Sequence, residues 1–379
     1  MEMIGTGYTP CAASARIKDH IMCKLFFILQ VVVLTLAAPS LAGEPKIPIL
    51  HSTDLLHPYD DPDDHYDLAT VFAMQEFDIR GIVLDQGVEP QGQLKRPGQV
   101  PVQQMFRLTG RKTPVAIGLT TLLRSRDDKA LDQGEQFQGG VKLILSALRQ
   151  SPEKVVLHLA GSCRDAAAAF NREPELLRAK VRAIYVEAGN GPDGRQDEWN
   201  VKLDPLAYLR LLESGLPIYW CPCFGRDGYA THYEADQSGV LSACTRPAQN
   251  YFVYALTRSK EEPLAFLQSG EHPLPGGKRP MWCTAPLFHA AGRQIYRRGP
   301  EDFVALADSA ARRAGLQDKL VRAYEFVPLR LDVQGFPVLG LAPKSEVSSI
   351  AVFAFRVVDP NYSKILSCCL KNLLADLGR

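Results

Sequence analysis

The chain has 379 residues, with 43 basic residues against 42 acidic ones and a formal net charge of +1. That length suits one large domain or one domain with an appendage. The balanced charge gives no electrostatic footprint for nucleic acid or an anionic membrane, so a small neutral or near-neutral ligand fits better.

Residues 25–38 form an apolar run behind Lys18 and Lys24, followed by Pro39-Ser-Leu-Ala42. A basic start, a short apolar core and a small-residue end describe a secretory signal. The run is shorter than the roughly 20 residues a membrane span needs. The expectation is a signal over residues 1–42, an exported protein (periplasmic or extracellular) and no stable membrane anchor after cleavage. Met22 offers an alternative start. Cysteines 163, 221, 223, 244, 283, 368 and 369 lie beyond the cleavage point, and an odd number means at least one thiol is free or intermolecular. Their spacing matches no zinc pattern.

Beyond Gly43 the pattern alternates strand and helix, which argues an α/β fold with a largely parallel sheet. Residues 47–50 read as a first buried strand. Asp61-Pro62 has the form of an N-cap with proline at the first helical position, ahead of Leu68, Val71 and Phe72 on one helical face. Residues 79–84 and 114–117 read as strands, with a polar Gly/Pro-rich loop from Asp85 to Pro101 between them. Residues 141–148 are helical. The strand 155–160 runs into Gly161-Ser-Cys-Arg-Asp165, where Ser162 and Asp165 have capping-box-like spacing. A strand at 182–187, a helix at 206–213 capped by Asp204-Pro205 and stopped by Gly215, and a strand at 216–220 close the core pattern. Further on, 303–314 reads as helix, 327–333 and 350–355 as strands, and Asp359-Pro360 as the cap of a terminal helix with Leu366, Leu370, Leu373 and Leu377 on one face. The expected organisation is one α/β domain over 43–300 with a small C-terminal extension, 301–379, packed on it.

The chemistry concentrates between His51 and Asp67, where Asp60, Asp61, Asp63, Asp64 and Asp67 follow Asp54 at the end of the first strand. In an open α/β sheet, ligands bind beyond the carboxyl ends of the strands. Acids in a first helical turn complement the helix dipole, and one or two would be explained that way. Five crowded together repel one another and want a cation. Oxygen-only donors favour calcium or magnesium over zinc.

With these residues in place, the sequence resembles the nucleoside-hydrolase family, which opens with a strand, D-x-D-P-G-x-D-D and a helix. Ser52-Thr-Asp54 is similar to the D-x-D, with serine for the first aspartate, and Asp61-Pro-Asp63-Asp64 is similar to the D-D pair. Leu159-Ala-Gly-Ser-Cys-Arg-Asp165 resembles the family's L-G-P-L-T-N turn, and Glu198-Trp-Asn200-Val-Lys-Leu-Asp204-Pro resembles E-F-N-x-x-x-D-P. Order and spacing agree from about residue 47 to 220. The resemblance implies a Rossmann-like, mostly parallel sheet flanked by helices and a calcium-dependent hydrolase of N-ribosides, of a divergent exported branch. By the same resemblance, Asp54 and Asp64 would hold Ca2+, with Asp61 a further candidate and a backbone carbonyl near Arg164 completing the shell. Asp54 would act as general base on a bound water, and Asp63, Glu198 and Asn200 would bind ribose hydroxyls. The family's late His-Asp pair is matched by His289-Ala290, His289 facing the leaving base and Ala290 replacing a metal-binding aspartate. Asp204 reads as a helix cap only. Two alternatives stay open: a non-catalytic sugar- or nucleoside-binding protein, favoured by Ser52 and Ala290, and a metal-free glycoside hydrolase using paired carboxylates. The partner is a small molecule in each case, and self-association is left open.

Overall fold

The computed structural model describes residues 45–58, 62–85, 97–192, 194–332, 336, 338–341 and 349–379. The expected signal over 1–42 and the aspartates at 60 and 61 lie outside them. Strands β1 (Ile47–Thr53), β2 (Phe77–Leu84), β3 (Val115–Ile117), β4 (Val155–Ala160), β5 (Val181–Val186) and β6 (Ile218–Trp220) belong to one sheet. A two-stranded ribbon, β7 (Tyr233–Asp236) with β8 (Lys278–Met281), and a small sheet of β9 (Arg293–Gly299), β10 (Asp302–Ala307) and β11 (Leu320–Val321) follow. Strands β12 (Tyr324–Asp332) and β13 (Ser349–Val357) then return to the main sheet. Its eight strands run in the order β12-β13-β6-β5-β4-β1-β2-β3, parallel throughout except that β12 lies antiparallel at one edge. Residues Lys46–Arg379 form one unit, so the expected C-terminal extension supplies two strands of the same sheet.

Helices around the sheet include α1 (Asp63–Ala73), α2 (Gly139–Gln150), α3 (Arg164–Arg172), α4 (Trp199–Leu203), α5 (Pro205–Leu212), α6 (Arg246–Leu256) and α7 (Thr284–Ala290); α8 (Asp308–Arg313) packs on the small sheet, and α9 (Tyr362–Leu374) closes the chain. Successive strand residues point to opposite faces, and the core divides accordingly. Ile49, Val156 and Tyr185 pack with α1, α6, α7 and α9. Leu50, Leu157 and Ile184 pack with α2, α3 and α5. With both faces covered, β4 is buried at every residue, which is why it reads as a continuous apolar run broken only by His158.

Several sequence expectations change in detail. The stretch 303–314 is not one helix: Asp302–Ala307 pairs antiparallel with Arg293–Gly299, and only Asp308–Arg313 is helical. Its Phe, Val, Ala and Leu suit either state locally, and hairpin pairing decides. Helix α1 begins at Asp63 with Pro62 in the cap position and no side-chain cap bond. Asp165 does not close a capping box. Its carboxylate accepts from the Leu119 backbone N–H at 3.2–3.3 Å. The cap of α9 falls on Asn361, with Asp359 accepting from the Asn361 N–H at 2.7 Å. Asp204 caps α5 as expected, accepting from the Ala207 N–H at 3.0 Å, and Gly215 beyond the helix holds φ +73°. Among the described residues all seven cysteines are free thiols.

Candidate active site

The carboxyl ends of β1, β4 and β5 open onto a cavity of about 490 Å³. Asp54 follows the last residue of β1, and its N–H donates to the Ala160 carbonyl at the end of β4 at 3.1 Å. Asp63 and Asp64 enter from the first turn of α1, and Asp67 stands one turn on, on the same side of the helix. Glu187 follows β5. Glu198 and Asn200 enter from the start of α4, and Trp199, Cys223, Phe224, Trp282 and Cys283 complete the lining, with the Cys223 thiol on Glu198 and the Cys283 thiol on Asp67. Asp54, Asp63, Asp64, Glu198 and Asn200, all singled out in the sequence, therefore line one cavity.

The electrostatics are those of crowded acids. Asp64 is held well above the usual carboxylate range, by burial first and then by Asp54, Asp63 and Asp67. Only the Thr53 hydroxyl, donating to Asp64 Oδ1 at 3.1 Å, works the other way. Glu187 is raised by burial and then by Asp67. Glu198 is also raised by burial, opposed by backbone N–H groups of Gly189, Asn200 and Val201 that donate to it. It is thus the N-cap of α4 as well as a wall of the cavity. Asn200 donates from Nδ2 to the Glu187 carbonyl at 2.7 Å, which fixes the amide and directs its carbonyl oxygen away from that contact. A cluster of carboxylates this crowded fits a hard cation, which would cancel the repulsion that raises Asp64.

His289 and Arg164 are placed elsewhere. His289 packs against Tyr185, Tyr219 and Phe326, and its Nδ1 shares a 2.7 Å hydrogen bond with the Tyr185 hydroxyl. Burial lowers it to about 4, and the ring is half-buried in this aromatic cluster. The segment reaches the cavity earlier, through Trp282 and Cys283, because Cys283 is the N-cap of α7 and His289 lies near its far end. The positions that face the site are therefore Trp282-Cys283, not His289-Ala290. Arg164 turns its buried guanidinium to Asp204 at 3.2 Å and to the carbonyls of Leu119 and Leu203 at 2.8 and 2.7 Å. The guanidinium braces the α3–α5 layer; the expected donor of this region was a backbone carbonyl, and Ala160 at the end of β4 is the residue before Arg164 that lines the cavity.

Sequence reasoning missed Glu187 and Cys283. For Glu187 a signal was present, since it follows the last residue of a parallel strand, where ligands bind. For Cys283 none was, because a lone cysteine near a helix start has no distinctive spacing.

No protein-family model matches the chain. The pyrimidine-specific ribonucleoside hydrolase RihA of Citrobacter koseri is 28% identical over 191 residues, which cover 45% of this chain and 58% of that protein. The match thus spans less than two thirds of that relative's length. Among solved structures, the effector protein XOO4466 has a TM-score of 0.51 at 16% identity, over 88% of this chain and 95% of the other. The plant nucleoside hydrolase PpNRh1 has a TM-score of 0.49 at 14% identity, over 87% and 99%. The chain has an α/β fold of nucleoside-hydrolase type, a mostly parallel sheet flanked by helices. Over 45% of its length the chain is similar in sequence to a ribonucleoside hydrolase.

Proposed function

We propose that the cavity hydrolyses the N-glycosidic bond of a ribonucleoside or a related N-riboside, outside the cytoplasm. The observation that carries the reading is the convergence of Asp54, Asp63, Asp64, Glu198 and Asn200 in one cavity beyond the strand ends. Such an array suits a sugar with adjacent hydroxyls, each of which needs an acceptor.

Asp54 and Asp64 would hold a calcium ion, which when bound would polarise a water and orient the ribose diol. Asp63, Glu198 and Asn200 accept from ribose hydroxyls and fix the ring. Asp54 takes a proton from the attacking water as its oxygen bonds to the anomeric carbon. The carbon–nitrogen bond breaks with its electron pair going to the base, which is then protonated through solvent. Positive charge builds on the ribosyl carbon as the base leaves, and the surrounding carboxylates stabilise it. With His289 in an aromatic cluster outside the cavity lining, no histidine of the α7 segment serves the leaving group. That part of the ligand faces Trp199, Phe224 and Trp282 instead.

A second reading is favoured by Cys283, which replaces an acid in the wall: the same cavity could hold a nucleoside without cleaving it. Two measurements separate the readings. Calcium should raise the melting temperature of the wild type by mass action and leave Asp64→Ala unmoved. Release of free base from a panel of nucleosides should then accompany binding. Calcium stabilisation with tight binding and no released base would establish the binding protein.

A further inference from the structure

We propose that His158, Glu187 and Cys283 form a second metal site, on the floor of the same cavity, for a zinc-like transition-metal ion rather than a hard cation. An imidazole nitrogen, a carboxylate oxygen and the thiol sulfur of these residues all lie within 4.8 Å of one another, and all three residues are buried. The donors come from β4, the end of β5 and the cap of α7, so three distant segments fold together to make the trio.

Two further observations point to an ion. His158 Nδ1 shares a 2.9 Å hydrogen bond with His51 Nδ1, which turns His158 Nε2 toward Glu187. A metal-binding histidine is typically oriented in this way by a partner on its other nitrogen. His158 Nε2 is fully buried and lacks a hydrogen-bond partner; it faces Glu187 Oε1 at 3.4 Å, and the Cys221 thiol is the neighbour that reaches the Glu187 carboxylate. Two ligands bound at about 2.0–2.1 Å to a tetrahedral ion stand about 3.3–3.4 Å apart. The spacing is that of two corners of a zinc tetrahedron, and it is long for a hydrogen bond.

The donor set decides the class of metal. Thiolate and imidazole select zinc and similar ions, whereas calcium takes oxygen ligands. Glu187 and Cys283 also line the cavity, so a fourth position would open toward it. That is the arrangement of zinc sites with three protein ligands, which keep one place for water or substrate. Binding would convert the Cys283 thiol to thiolate, with one proton released to solvent. The inference rests on these three residues and stands independently of what the cavity cleaves.

The test uses cobalt(II) as a spectroscopic stand-in for zinc, added to the chelator-treated full chain. The expected result is one ion per chain, a thiolate-to-cobalt charge-transfer band and displacement of that band by zinc. Cys283→Ser should abolish the band, and His158→Gln should weaken cobalt binding at least tenfold. Cys244→Ser, outside the trio, should leave the band intact. Thermal melting of each variant in chelator shows whether it folds. Absence of the band in the wild type, or its survival in folded Cys283→Ser, would overturn the proposal. The calcium melting shift is read on the same samples. Cobalt binding without a calcium response would sink the calcium reading and leave this one standing.

Discussion

The Thr53 hydroxyl donates to Asp64 Oδ1 at 3.1 Å, and so ties the last residue of β1 to the first turn of α1. The bond lies next to Asp54. It favours the charged form of a carboxylate which burial and three neighbouring acids disfavour. Thr53→Val keeps the shape and deletes the donor. Hydrogen bonds to charged groups contribute about 1.5–3 kcal/mol, so calcium affinity should fall by about tenfold or more. Isothermal titration with calcium checks this, and an unchanged affinity would show that the bond does not orient Asp64.

Asp64 also sets a pH dependence. Its folded-state value is raised above its ordinary 3.8, so the folded chain binds more protons there than the unfolded chain. Its contribution is therefore most favourable at low pH and is lost as pH rises through the raised value. Calcium binds the charged form, so its affinity should rise with pH over the same range. Asp64→Asn should remove both effects: in chelator the variant should melt above the wild type at neutral pH, and calcium should no longer help. Melting curves with and without calcium across pH give the answer, and a variant less stable than wild type in chelator would contradict the crowding argument.

How far the sequence carried this far depended on distance along the chain. Asp54, Asp63, Asp64 and Asp67 fall within one short run, and the order strand, acids, helix was readable because β1 and α1 are adjacent. Asp204 was readable as a cap because Asp-Pro is a local signal. The trio His158, Glu187 and Cys283 was not, since no local pattern links residues on β4, β5 and α7. His289 was misplaced for the opposite reason. A motif was matched by residue type, while the helix start at Thr284 brings Trp282 and Cys283 to the cavity and leaves His289 in an aromatic cluster. The strand at Asp302–Ala307 was likewise decided by its pairing with β9, which lies outside any local window.

Glu198 has two duties that a conservative variant can separate. It accepts from three backbone N–H groups at 2.9–3.4 Å and also lines the cavity. Glu198→Gln keeps an acceptor oxygen and removes the charge. Loss of a good cap costs about 1 kcal/mol, so the melting temperature should drop by a few degrees. If Glu198 also holds a ribose hydroxyl, KM for a nucleoside should rise at least tenfold with calcium affinity unchanged. A lower melting temperature with unchanged KM would reduce Glu198 to a cap.

The aromatic side chains that line the cavity predict where the base sits. Trp199 and Phe224 are 56% and 47% exposed although both are large and apolar. Trp282 stands edge-on to Phe224 with ring centroids 5.8 Å apart. Aromatic surface left open beside a carboxylate cluster divides the cavity into a half suited to a sugar diol and a half suited to a flat ring. Stacking of a base on an aromatic side chain is worth about 1–3 kcal/mol. Trp282→Ala should therefore weaken nucleoside binding by about 5- to 150-fold while barely changing the weak inhibition by free ribose. Inhibition constants for ribose and for a non-hydrolysable nucleoside analogue, measured on both proteins, separate the two halves. Equal losses for ribose and analogue would mean that Trp282 shapes the sugar half, and the base would have to leave in another direction.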